Sequence, residues 1–125
     1  MRREPNAQKR PIPPGHVRPA AIESEIEKVI RQVVKRFYPQ KVILFGSYAY
    51  GQPHEWSDLD LLVVTSDPPP RKKRWKVVYE LEQETSLPLQ IVFMSPEEFE
   101  ETRNVVGGIA YPAHQWGEVL YEPNT

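Results

Sequence analysis

Two short apolar runs, KVILF at 41–45 and DLDLLVV at 58–64, constrain most strongly what this chain can fold into. Each is too short for a helix with a core face of its own, is rich in leucine or β-branched residues, and is bounded by glycine, proline or polar residues. Each therefore reads as a strand. A third run, LQIVFM at 89–94, reads the same way. Ahead of the first strand, Ile22, Ile26, Val29, Ile30, Val33, Val34 and Phe37 recur at helical spacing, with Glu23, Glu25, Glu27, Lys28 and Arg31 on the other face. Pro39 ends that helix, since it lacks the backbone donor and restricts the residue before it. One helical turn is predicted over 47–50, closed by Gly51, and a helix over 71–86 with Trp75, Val78, Leu81 and Thr85 on its buried stripe. Ser95-Pro96-Glu97-Glu98 supplies an N-cap, a proline at the first helical position and acids in the first turn, so another helix starts there. Gly107-Gly108 interrupts it, and a helical piece over 109–115 and an apolar segment over 118–121 complete the domain. Helices alternating with three short strands predict an α/β (α+β) domain, a small mixed sheet of about three core strands covered by helices.

The chain has 125 residues, enough for one core and too few for two. With 39% hydrophobic and 26% charged residues it is expected to be folded over 20–125. No apolar run approaches the roughly 20 residues of a membrane span, and the N-terminus lacks the apolar stretch of a secretory signal. A cytoplasmic location and no membrane partner are therefore expected. The absence of cysteine excludes disulfides, thiolate metal sites and cysteine nucleophiles. Net charge is −1, yet residues 1–19 carry five basic side chains against one acid and five of the fourteen prolines. They read as a flexible basic arm, a solvated tail or a contact for nucleic acid or an acidic partner. The remaining residues are net acidic, which argues against a domain that binds polyanions over its whole surface.

The chemistry concentrates in GSYAYGQPHEWSDLDLLVV. Gly46-Ser47 stands where a strand meets a helix, so backbone amides and the Ser47 hydroxyl can face one phosphate. Asp58 and Asp60, two residues apart on one strand, present carboxylates about 6.5 Å apart on one face, suited to hard divalent cations. With the two strands adjacent, cradle and carboxylates share one end of the sheet, where ligands of open α/β sheets bind.

A Gly-Ser pair, ten intervening residues, then Asp-x-Asp and an apolar run resembles the signature of the polymerase-beta-like nucleotidyltransferases, in particular their minimal single-domain group. The resemblance spans roughly 22–122, because the ending GGIAYPAHQWGEVLYE also looks like that of minimal nucleotidyltransferases paired with HEPN-domain proteins. It implies the polymerase-beta-like fold and transfer of AMP from ATP to a hydroxyl of a HEPN partner, with this chain as the antitoxin of a toxin–antitoxin pair. It implies Mg²⁺, or Mn²⁺, held by Asp58 and Asp60 as the catalytic carboxylates, and terminal phosphates held by Gly46 and Ser47. The family's third carboxylate, on a neighbouring strand, is replaced here by Gln90, and Tyr50 stands where relatives often carry arginine. Gln90 offers only a neutral carbonyl oxygen, so a module that neutralises a HEPN protein by binding nucleotide or partner without turnover is the alternative. Homo- or hetero-oligomers fit either reading.

Other features have plain and functional readings side by side. Arg71, Lys72, Lys73, Arg74 and Lys76 form a solvated face or a contact for an acidic partner, tRNA or a phosphate. Trp56 packs its loop or stacks on a base. His16, His54 and His114 are too dispersed for a metal site, and Tyr111, Trp116 and Tyr121 are assigned to core or interface.

Overall fold

The computed structural model describes residues 18–50 and 57–123. Helix α1 (Ala20–Phe37) leads into strand β1 (Lys41–Phe45), the single turn α2 (Ser47–Tyr50) and strand β2 (Leu59–Val64). A 3₁₀ turn at Arg71–Lys73 runs into α3 (Arg74–Glu82), followed by β3 (Leu89–Met94), α4 (Pro96–Thr102), α5 (Ala110–Trp116) and β4 (Glu118–Tyr121). The sheet order is β3-β2-β1-β4. β1 is antiparallel to β2 and β4, whereas β2 and β3 are parallel, which requires the crossover that α3 supplies.

Both faces of the central strands are covered, which is why β1 and β2 carry almost unbroken apolar sequence. On one face Val42, Leu44, Leu61, Val63 and Phe93 pack against Ile26, Val29 and Val33 of α1 and Val77 and Leu81 of α3. On the other, Ile43, Phe45, Leu62, Val64 and Met94 meet Phe99 of α4 and Ala110 and Ala113 of α5. Each fully buried leucine or valine contributes about 1.5–3 kcal/mol of transfer free energy. Gly117 permits the close approach of α5: a Cβ there would lie 2.6 Å from Ile43 Cγ2 and 2.8 Å from the Leu44 carbonyl oxygen. α1 ends on Tyr38 in the left-handed conformation (φ 46°), its N–H donating to the Val34 carbonyl at 3.0 Å. The cap of α4 is as expected, Ser95 Oγ accepting from the Glu98 amide at 3.0 Å.

Four expectations change. The sheet has a fourth strand, because the apolar segment at 118–121 pairs with β1 through a bulge between Val42 and Ile43. The helix expected over 71–86 is regular only over 74–82, and it buries Val77 and Leu81 while Trp75 is 71% exposed. The helix begun at Ser95 ends at Thr102, ahead of Gly107-Gly108. Arg18, counted with the basic arm on sequence, is anchored: its side chain is 9% exposed, ion-paired to Glu23 at 2.9 Å and Glu118 at 3.0 Å, and donates to the Tyr48 carbonyl at 3.1 Å. Residues 1–17 of the arm, His16 among them, and Gly51, His54 and Trp56 lie outside the described residues. No helix among the described residues is long and apolar enough to cross a membrane.

Candidate active site

β1 delivers Gly46 and Ser47 to the edge of the sheet, and β2 begins directly beside them, Phe45 facing Asp60 in the antiparallel register. Asp60 projects on the same face as Leu62 and Val64, so its stem sits at the margin of the second core while its carboxyl leaves it. There it lies against the backbone of Gly46. A Cβ built on Gly46 would fall inside the Asp60 carboxyl group, 2.9 Å from Cγ, and the glycine has φ +74°. Two constraints thus select glycine at 46: a left-handed turn and a carboxylate packed on its Cα. The turn continues into α2, where the Ala49 and Tyr50 amides donate to the Gly46 carbonyl at 3.0 and 3.1 Å.

Asp58 precedes β2 and is exposed, on the same face as Asp60 and close enough to act on it. Burial first, and the Asp58 charge second, push the Asp60 carboxyl up to about 6. Among the described residues neither carboxylate has an ion-pair partner. A like-charged, partly desolvated pair without a cation of its own is the electrostatics that a divalent ion relieves, and the donor set is all oxygen, as magnesium requires. The residues present therefore fit such an ion. Gln90 faces Asp60 across the parallel β2–β3 pair and is exposed. No cluster of three acidic or imidazole ligands occurs among the described residues.

The structure thus gathers Gly46, Ser47, Asp58, Asp60 and Gln90 at one end of the sheet. This is the C-terminal end of β1 but the N-terminal end of β2 and β3, so the carboxyl-end rule of open parallel sheets does not account for it. Beside the site, Tyr50 stacks edge-on with Trp116, which stacks edge-on with Tyr111, placing these aromatics in packing between α2 and α5. His114 is likewise in a ring contact, with Phe99. Sequence reasoning missed Tyr79 and Glu82. A cleft of about 460 Å³ between α3 and β3 is lined by both, together with Trp75 and Gln90, and Glu82 Oε2 accepts from the Leu89 amide at 2.9 Å. The one available signal was Trp75 lying between Arg74 and Lys76, flanks suited to a solvent-facing position.

A family model described as a nucleotidyltransferase domain matches residues 26–110. Solved structures with this fold include a toxin–antitoxin crystal structure with AMP-PNP, at 24% identity and TM-score 0.58, the match covering 81% of this chain and 73% of that one. Two variant forms of the toxin–antitoxin MntA–HpeT match at 22% identity, one at TM-score 0.55 with 81% and 73% covered, the other at 0.51 with 81% and 72%. At such identities the likeness is one of fold. No curated protein matches the chain.

Proposed function

The chain belongs to the nucleotidyltransferase domain family, whose model spans more than half of it, and from that premise we propose that it transfers AMP from ATP to a hydroxyl of a HEPN partner protein, acting as the antitoxin of the pair. The observation that carries the reading is the packing of the Asp60 carboxylate on Gly46 with Asp58 alongside, which makes the phosphate turn and the carboxylate pair one site. Gly46 and Ser47 hold the terminal phosphates through backbone amides and the Ser47 hydroxyl. Asp58 and Asp60 would hold Mg²⁺ or Mn²⁺, which supplies charge neutralisation and polarisation of the phosphate oxygens when bound. In the transfer, the acceptor oxygen bonds to the α-phosphorus, the bond from that phosphorus to the bridging oxygen breaks, pyrophosphate leaves with the electron pair, and the acceptor proton passes to water. The fold shared with structures described as toxin–antitoxin, one of them with AMP-PNP, supports the partner class and the nucleotide.

The test is labelling with α-³²P-ATP, Mg²⁺ and host lysate. A labelled protein is expected, with label reduced about 100-fold or more in Asp58→Asn and in Asp60→Asn. Full label in both variants would refute the assignment. Gln90 beside Asp60 favours one second reading, a module that binds nucleotide and partner without turnover. Under it, wild type gives Mg²⁺-dependent ATP binding by calorimetry but no label, and Gln90→Asp gains transfer. Under the first reading wild type already labels, and Gln90→Asp changes its rate within about tenfold.

A further inference from the structure

β3 is an edge strand, and its outer side is the feature that the transfer site leaves unused. Leu59 N–H donates to the Pro88 carbonyl and Thr65 N–H to that of Met94. In a parallel pair the backbone groups of alternate residues turn to the same neighbour, so the N–H and C=O groups of the even-numbered residues of β3 point to β2 and those of Leu89, Ile91 and Phe93 point away from it, while the Leu89 and Phe93 side chains stay in the core. The Leu89 amide is taken by Glu82, which leaves the donors and acceptors of Ile91 and Phe93 as an open ladder among the described residues.

Alongside this ladder runs the cleft of about 460 Å³, formed by Arg74, Trp75, Val78, Tyr79, Gln90 and Ile91. Trp75 and Tyr79 are 71% and 59% exposed, large aromatics of the kind that anchor protein interfaces. α3 runs antiparallel to β3, so the cleft begins at Gln90, beside Asp60, and leads toward the start of α3. There Arg71, Lys72, Lys73 and Lys76 crowd a helix N-terminus, where positive charge opposes the helix dipole, and none of them is ion-paired within the described residues. An anionic partner would offset that cost. The site end is acidic, with Glu82 and the aspartate pair, which disfavours a polyphosphate chain along the whole cleft; the open ladder fits a polypeptide.

We propose that the outer edge of β3 and the α3 cleft dock an extended polypeptide segment of the acceptor protein, acidic where it meets Arg71–Lys76, which adds as a further strand and carries its hydroxyl toward Gln90 and Asp60. The hydroxyl's fate rests on the transfer reading above; the docking does not.

The test uses the full chain and a fluorescein-labelled peptide with a glutamate run followed by alternating valine and threonine, read by fluorescence anisotropy. The acidic peptide is expected to bind, more weakly at high salt, and a version with lysines in place of the glutamates to bind about tenfold or more weakly. Lys72→Glu with Lys73→Glu should cost about tenfold as well. Ile91→Pro removes one outward N–H at an edge position that tolerates proline, and should weaken binding similarly while Ile91→Val does not. ATP binding by calorimetry should be unchanged in all of these, which controls for folding. Equal binding of the two peptides, wild-type binding by Ile91→Pro, or displacement of the peptide by oligo(A) RNA would overturn the docking. Peptide binding without any label transfer would sink the transfer reading and leave the docking standing. Undiminished label transfer to the lysate acceptor in the Lys72, Lys73 and Ile91 variants would do the reverse.

Discussion

Gly46 is held to glycine from two sides, by its φ of +74° and by the Asp60 carboxyl on its Cα. Gly46→Ala is therefore expected to cost about 1–3 kcal/mol of stability in urea unfolding and to displace Asp60, lowering nucleotide binding with it. Replacement of the neighbouring Ser47 by alanine leaves the backbone turn and gives the comparison. That these residues share one end of the sheet was legible in the sequence on the condition that the two strands are neighbours, since Gly46-Ser47 closes the first and Asp58-x-Asp60 opens the second, and the antiparallel β1–β2 pair meets that condition. The second reason for the glycine was not, since it arises from a residue fourteen positions away that only the β1–β2 register brings alongside. Trp75 was misplaced for a related reason. Its apolar character fits a buried stripe, but the helix is phased by Val77 and Leu81, which meet the sheet, and the tryptophan is turned to solvent.

Limits set by an element's own residues were read closely: those of β1 by Gly46, those of β3 by Pro88 and Ser95, and the start of α4 by its serine cap. Those set by distant partners were not. The residues after α3 leave the helix because Glu25 of α1 captures them, its carboxylate accepting from the Ser86 amide at 2.9 Å and Thr85 Oγ1 at 2.8 Å, with Lys28 at 3.0 Å. The Ser86 amide first, then Thr85 and Lys28, hold the Glu25 carboxyl at about 2, below its ordinary value of 4.5. A carboxyl lowered on folding adds stability that is complete above about pH 4.5 and is lost as pH falls toward 2. Glu25→Gln should therefore lower Tm near neutrality and flatten its fall between about pH 5 and 2, as followed by circular dichroism melts. β4 escaped detection because EVLY is only four residues long and becomes a strand by pairing with β1.

At the scale of the whole molecule, the site joins β1, β2 and β3, so a ligand that bridges cradle and carboxylates clamps the centre of the sheet. Mg²⁺ and ATP together are expected to raise Tm by the equivalent of about 2.7 kcal/mol at about 100 times Kd, and EDTA to reverse the shift in differential scanning fluorimetry. ATP alone should give little, since the aspartate pair repels its phosphates. The strand order has a further consequence, at the opposite edge. β4 is the cover of β1, and β1 is KVILF, five residues with no proline or glycine and a single charge. Stripped of β4, that strand would present an open, apolar backbone ladder of the kind that templates amyloid-like stacking between chains. β4 is thus also a guard of β1 against aggregation, and a chain still emerging from the ribosome lacks that guard until Glu118–Tyr121 have been made.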